Sequence, residues 1–363
     1  MIAALRTRFN QSYTPQAYAR LTELLEASLE TPLGFRVAET PCFLPRELLE
    51  GCAAIGAELT HQLVGNASYL EAAQGAIPAG FRADGLSAHP HFMTADFGLV
   101  READGALAPK IVELQAFPSV YAYQAALCQA YREAYQLPAS LGQYLGGHTE
   151  ESYWELLGRT ILNGHAPEHV ILTEVEPERQ KTYPDFALTA RRLGIRIVDI
   201  AQLVLERRAG EPARVFYQRE GERVPVHRIY NRAIVDEIMA REIRLPFRYD
   251  EPLAVEWAGH PNWYFAISKF SLPYLQHAAV PPAFFLDRWL AGELPEELRA
   301  LPRAEWILKP LFAFAGRGIE FGPSDAQLGA IAPGERGGFL MQQRMHFAPV
   351  IETPFGATQA EVR

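Results

Sequence analysis

Cysteine is scarce: Cys42, Cys52 and Cys128 are the three in 363 residues. An odd number without close spacing excludes a disulfide framework and a thiolate metal knuckle, and fits a reducing, cytoplasmic compartment. No run of about 18 apolar residues occurs, so no membrane-spanning helix is expected. Met1 to Asn10 carry Arg6 and Arg8 but no long apolar stretch and no small-residue cleavage site, so no secretion signal is expected. Basic residues are outnumbered, 34 Lys+Arg against 43 Asp+Glu, for a net charge of −9 with neutral histidine. That argues against nonspecific nucleic-acid binding, which needs a strongly basic surface, while leaving room for a local phosphate pocket. Internal repeats, low-complexity tracts and the Walker A pattern G-x-x-x-x-G-K-[ST] are absent too.

What is present is an ordinary globular composition, 48% hydrophobic and 21% charged, long enough for two or three lobes. Residues 1–75 read as mostly helical, with Tyr18, Leu21, Leu24 and Leu25, and then Leu48, Leu49, Cys52 and Ile55, at helical spacing. Extended runs follow at 91–100 and 110–115, then a helical pattern over 120–137. An apolar strand at 169–173, a helix near 185–193 stopped by Gly194, and a strand at 195–200 form a β-α-β unit and imply a parallel sheet. A further α/β segment after about residue 255 includes strands at 306–309 and 338–343.

Asp104-Gly105 between the first two extended runs is a favoured hairpin turn. If it sets the register, Ala103 faces Ala106, Asp96 faces Glu113 and Thr94 faces Gln115. Alternation then puts these four on one face, with Met93, Ala95, Phe97, Leu99, Val112, Leu114 and Ala116 on the other. Lys110 is an exception on the apolar side. Two opposed carboxylates about 5 Å apart repel by roughly 3 kcal/mol at an effective dielectric of about 20. A divalent cation would reverse the sign, and oxygen ligands from Asp, Glu and Gln suit Mg²⁺ beside a nucleotide phosphate. A solvated polar sheet face is the alternative.

Later in the chain, Trp306-Ile307-Leu308-Lys309 delivers a lysine at a strand end. A loop with Ala313, Ala315, Gly316, Arg317 and Gly318 follows, whose small residues let backbone N–H groups approach phosphate oxygens. An ordinary turn with one surface lysine is the alternative. Lys269 precedes a short helical stretch. Gln342 and Gln343 end an apolar strand, where an amide offers a donor and an acceptor to an adenine edge. His89-Pro90-His91 reads as a loop pair of histidines, not a metal site.

Taken in order, these pieces resemble ATP-grasp enzymes, in particular the circularly permuted group that includes the glutathionylspermidine synthetase domain. Thr94-Ala95-Asp96-Phe97 resembles that family's Arg-x-Asp-Phe strand. Lys110-Ile111-Val112-Glu113-Leu114-Gln115-Ala116-Phe117-Pro118-Ser119 resembles its metal strand, with Gln115 in place of asparagine. Ile229-Tyr230-Asn231-Arg232 with Glu237, Ser268-Lys269, Lys309-Pro310 with its loop, and Gln342-Gln343 resemble later motifs.

The resemblance spans about residues 90–363 and implies an α+β, ATP-grasp-like fold in circularly permuted order. It has a helical N-terminal region (1–89), a metal-binding hairpin and helix (90–164), a central β-α-β substrate-side lobe (165–255) and a nucleotide-binding lobe (256–363). It implies Mg²⁺ on Asp96, Glu113 and Gln115. ATP would lie on Lys269, Lys309, Gly316, Arg317, Gly318, Gln342 and Gln343.

Thr94 stands where an arginine is expected, and Arg363 is the candidate to replace it as a catalytic cation beside Lys309. One or two strands are expected beyond Glu361-Val362-Arg363. The implied activity is ATP-dependent carboxylate–amine ligation through an acyl phosphate. Small-molecule or peptide substrates would meet Arg179, Lys181, Asn231 and Arg232, and no nucleic-acid or membrane partner is expected. A catalytically reduced nucleotide-binding scaffold, and a phosphotransferase that stops at a phosphorylated product, are the rivals.

Overall fold

A computed structural model describes residues 1–312 and 316–363. The chain forms two compact units, each assembled from separate stretches. The first comprises Met1–Pro45, Pro78–Phe92 and Phe117–Pro261; the second comprises Arg46–Ile77, Met93–Ala116 and Asn262–Arg363.

In the second unit, β1 (Thr94–Arg101) and β2 (Leu107–Gln115) form an antiparallel hairpin. Gly105 closes its turn at φ +85°, a conformation that strains any residue with a β-carbon. Next to the turn the pairing runs one residue out of the expected register: Arg101 faces Leu107 and Phe97 faces Ile111. The ladder then skips Val112, so that Asp96 faces Glu113 and Thr94 faces Gln115 as the spacing predicts. A turn-register error and a bulge cancel. The bulge also corrects the face assignment, because one extra residue moves side chains to the opposite face. Ile111, wholly buried, takes the apolar place expected for Val112, and Lys110, opposite Gly98, joins the face of Asp96. The apolar face meets the helix Arg46–Val64, where a β-carbon on Gly56 would come within 3.2 Å of the Ala95 methyl.

In the first unit, the helix Pro15–Leu29 buries Leu21, Leu25 and Leu29, an i, i+4, i+8 stripe, with Ala122, Ala130 and Tyr131 of the helix Tyr121–Ala134. The β-α-β unit is present as β3 (Val170–Glu174), the helix Tyr183–Leu193 and β4 (Arg196–Asp199), with Gly194 at φ +71° as the helix stop. An antiparallel sheet of β5 (Val204–Glu206), β6 (Arg214–Arg219) and β7 (Glu222–Val226) follows. Then β8 (Arg228–Asn231) and β9 (Glu256–Ala258) complete a parallel sheet of order β4-β3-β8-β9. Every residue of β3 is buried, as befits a central parallel strand covered on both faces. The chain leaves β3 for β4 on one side and later returns to β8 on the other, so the connections diverge between β3 and β8.

The rest of the second unit holds β10 (Ala283–Phe285), β11 (Trp306–Pro310), β12 (Glu320–Phe321) and β13 (Phe339–Gln343), in the order β10-β13-β11-β12. Leu286, Trp306, Leu308, Leu328 and Met341 form its core. After a small hairpin of β14 (Ile351–Thr353) and β15 (Gly356–Thr358), β16 (Glu361–Val362) pairs antiparallel with β1, setting Glu361 opposite Gly98 and Val362 opposite Phe97. Among the described residues no helix is long and apolar enough to cross a membrane.

Candidate phosphate and cation site

Asp96 and Glu113 sit opposite one another in the β1–β2 ladder, Asp96 buried and Glu113 nearly so. Their repulsion is met by cations from two other segments of the second unit. Arg363 forks onto Asp96, Nε to Oδ1 and Nη2 to Oδ2, both at 2.6 Å. Lys269 Nζ lies 2.8 Å from Glu113 Oε2. Gln115 donates to Glu113 Oε1 at 2.5 Å.

Each cation has a local reason to be there. Ser268 caps the short 3₁₀ helix Lys269–Tyr274 by accepting from the Phe270 N–H, and Ala116 N–H donates to the Ile267 carbonyl, which ties this segment to the end of β2. Arg363 follows β16 by one residue, so alternation from Glu361 brings it to the face of Asp96.

Lys309 arrives from β11 and is 5% exposed. Its ammonium donates to the Val112 carbonyl at 3.4 Å, a long bond for a group with three donors. Burial pushes its pKa down, against the pull of Glu113 and with the push of Lys269, to about 8. Glu361 completes the cluster; burial raises its pKa most, with Asp96 and Glu113 adding to the rise. Neither Glu361 nor the Val112 carbonyl is legible as a site group in the sequence. The first depends on which strand β16 joins, the second on the bulge.

Gly316 and Gly318 both adopt φ +71°, and a β-carbon on Gly318 would meet Pro310 at 3.0 Å, so Gly318 lies against the end of β11. Arg317 between them is exposed, and Ala313 and Ala315 lie outside the described residues. On β13, Gln342 is wholly buried, and neither its amide oxygen nor its amide nitrogen has a partner among the described residues. Gln343 is half-buried on the alternate face. The Thr94 hydroxyl, in the same ladder as Asp96, is also buried without a partner among the described residues.

These features bear on the two groups that the resemblance implies. Among the described residues no three His, Cys, Asp or Glu side chains gather as a metal cluster. A cation here would therefore take Asp96, Glu113 and Gln115 plus ligand oxygens, which is the habit of Mg²⁺ rather than of zinc. Both carboxylates already face positive charge, so the donor set fits a divalent ion that takes over that charge. The under-satisfied Lys309 ammonium and the orphaned Gln342 amide fit an anion and a heterocycle edge respectively, since unmet buried polar atoms cost stability until a partner arrives.

The four expected substrate residues all belong to the first unit. Arg232 is buried, its Nη1 donating to Asp185 Oδ2 at 3.0 Å and to the Ser119 carbonyl at 2.7 Å, while its Nε is buried without a partner among the described residues. Asn231 ends β8 beside Thr173 of β3; the Asn231 Oδ1 and Thr173 Oγ1 atoms are buried without partners among the described residues. They sit at the carboxyl ends of the strands where the connections diverge, a usual place for ligands in parallel sheets. Arg179 is exposed, pairs with Glu176, and lines a cleft of about 710 Å³ with Arg196, Asp199 and Arg219. Lys181 is exposed. Glu174, unforeseen from sequence, is buried beside this strand end; burial raises its carboxyl to about 8, against the Val175 N–H it accepts from.

No family model matches the sequence, and no curated protein is similar to it. The fold is similar to that of a glutathione synthetase-like effector from Globodera pallida, solved in its apo form. The two share 14% identity over 97% of this chain and 85% of that chain, with a TM-score of 0.56. The likeness is one of mixed α/β fold.

Proposed function

We propose that the protein is an ATP-dependent carboxylate–amine ligase. The carrying observation is the convergence of Lys309, Lys269, Glu113 and Asp96 from β11, the start of the 3₁₀ helix, β2 and β1 into one buried charged cluster. Lys269 and Lys309 hold the triphosphate and offset charge as the γ-phosphoryl group moves; catalysis is positioning and electrostatics, with no side-chain nucleophile. Bound at Asp96, Glu113 and Gln115, Mg²⁺ would supply further positive charge to the phosphate oxygens. The substrate carboxylate oxygen bonds to the γ-phosphorus, and ADP leaves with the bond it breaks. An amine nitrogen then attacks the acyl carbon, inorganic phosphate leaves, and the amine proton passes to solvent. Gly316, Arg317 and Gly318 border the phosphates, and Gln342 or Gln343 the base. Asn231 is the substrate contact best supported, through its orphaned oxygen.

The glutathione synthetase-like neighbour supports this reading at the level of fold. The catalytically reduced scaffold draws support from Thr94, which brings no positive charge to the site, and from the closure of Arg363 over Asp96. ADP release in Mg²⁺ and ATP, measured over a matrix of carboxylates and amines, separates the two. Turnover that needs one member of each class supports the ligase. Nucleotide binding with no turnover across the matrix supports the scaffold. Turnover with a carboxylate alone indicates a phosphotransferase.

A further inference from the structure

Both carboxylates of the β1–β2 pair are occupied by side-chain cations that belong to different segments: Arg363 after β16, and Lys269 at the start of the 3₁₀ helix. Each pair has a buried carboxylate or ammonium, although the Arg363 side chain is itself 40% exposed. Asp96 is 3% exposed and takes both of its oxygens to the guanidinium fork; Lys269 is 7% exposed. Two such cations neutralise two opposed carboxylates, so the cluster is internally balanced without any ion. A divalent cation carries the same charge as the pair of them. Lys309 faces the same cluster from β11.

A metal that binds the carboxylates must compete with these side chains. Once displaced, the buried Lys269 ammonium sits beside the buried Lys309 with Glu361 as the remaining carboxylate of the cluster, a costly arrangement unless an anion arrives. We infer that Arg363 and Lys269 are resident counter-cations of this site, which yield Asp96 and Glu113 to a divalent ion and turn to an incoming polyphosphate, so that metal and nucleotide bind cooperatively.

This rests on the ATP-binding reading for its polyphosphate half, whereas the exchange at the carboxylates stands on the ion pairs themselves. It assigns Arg363 a role that a fixed catalytic arginine would not have, since removing it should help the metal and harm the nucleotide. Lys269, on a separate element, should behave alike. A guanidinium that merely pinned β16 to β1 would not favour the metal when removed, and its loss would change folding stability more than metal affinity.

The test titrates Mn²⁺ alone, by calorimetry and by the electron paramagnetic resonance of free Mn²⁺, into the full chain and its Arg363→Gln, Arg363→Lys and Lys269→Gln variants. The same proteins are then titrated with ATP in saturating Mg²⁺. Removing one competitor should tighten Mn²⁺ binding about tenfold in Arg363→Gln and in Lys269→Gln, within the usual span of coupling between two sites. Arg363→Lys, which keeps the charge, should stay within about threefold of the parent, by the same scale. ATP affinity in Mg²⁺ should fall about tenfold in both neutral variants. Mn²⁺ affinity unchanged or weakened in both neutral variants overturns the inference, even if the parent binds ATP normally. A parent that shows the Mn²⁺ differences but binds no ATP overturns the ligase reading and the polyphosphate half, leaving the exchange at the carboxylates. If Arg363→Gln fails to fold, Lys269→Gln decides the outcome on its own.

Discussion

The Lys309 ammonium donates to the carbonyl of Val112, and Val112 is the residue that the β1–β2 ladder skips. The bulge therefore does two things at once. It restores Asp96 opposite Glu113, and it leaves one residue of β2 without a place in the ladder, whose carbonyl meets a lysine from another sheet. Bulges recur next to functional sites because they re-aim groups in this way.

Glu113→Gln should lower nucleotide affinity in Mg²⁺ at least tenfold. The substitution keeps the shape but removes the charge that holds Lys269 at 2.8 Å and that a cation would need. Fluorescence titration with a labelled ATP analogue measures it. An affinity within twofold of the parent would mean that this face of the hairpin is only a polar surface.

Lys309 gives a signed pH dependence. Its folded pKa is about 8 against an ordinary 10.5, lowered chiefly by burial. Between those values the unfolded chain keeps a proton that the folded chain has lost, so stability rises with pH across the window. Lys309→Met should abolish that rise in urea unfolding measured at pH 7.5 to 10. ATP favours the charged lysine, so nucleotide affinity should weaken above about pH 8, with proton uptake on binding visible as a buffer-dependent heat.

Glu174 predicts the opposite slope in the first unit. Burial raises its carboxyl from 4.5 to about 8. Across that interval the folded chain holds a proton that the unfolded chain has released, so this group makes stability fall as pH rises. Glu174→Gln keeps the acceptor for the Val175 N–H and should flatten the profile. The variant should also unfold at a higher temperature than the parent at pH 8.5. Equal melting temperatures there would contradict a carboxyl raised by burial at Glu174.

Arg232 separates a structural from a substrate role. Its side chain and that of Asp185 are 5% and 1% exposed. Arg232→Met strands a buried carboxylate and should cost about 3–5 kcal/mol in urea unfolding, with the double variant Asp185→Asn, Arg232→Met recovering part of it. A loss below about 1 kcal/mol would release Arg232 from the core and restore it as a substrate contact.

Local pattern carried a good deal of this protein. The 3.6-residue stripe of Leu21, Leu25 and Leu29, the turn at Gly105, the stop at Gly194 and the alternation around Asp96 act over a few residues, where propensity and periodicity operate. They determined the hairpin, the β-α-β unit and the strand that carries Lys309. Even there, Lys110 was assigned to the wrong face and Ile111 took the place expected for Val112, because a bulge has no local sequence signature of its own.

What only the tertiary structure decided is which charges meet. Arg363 is 267 positions from Asp96 and Lys309 is 197 from Val112, and no short-range rule selects such partners. Arg179, Lys181, Asn231 and Arg232 look alike in sequence, as polar residues in polar stretches. Packing then buries Arg232 against Asp185, leaves the Asn231 Oδ1 without a partner among the described residues and leaves Arg179 and Lys181 exposed. The reason is physical. Backbone preference is fixed by neighbours along the chain, whereas burial and ion pairing depend on what the completed fold brings within a few ångströms.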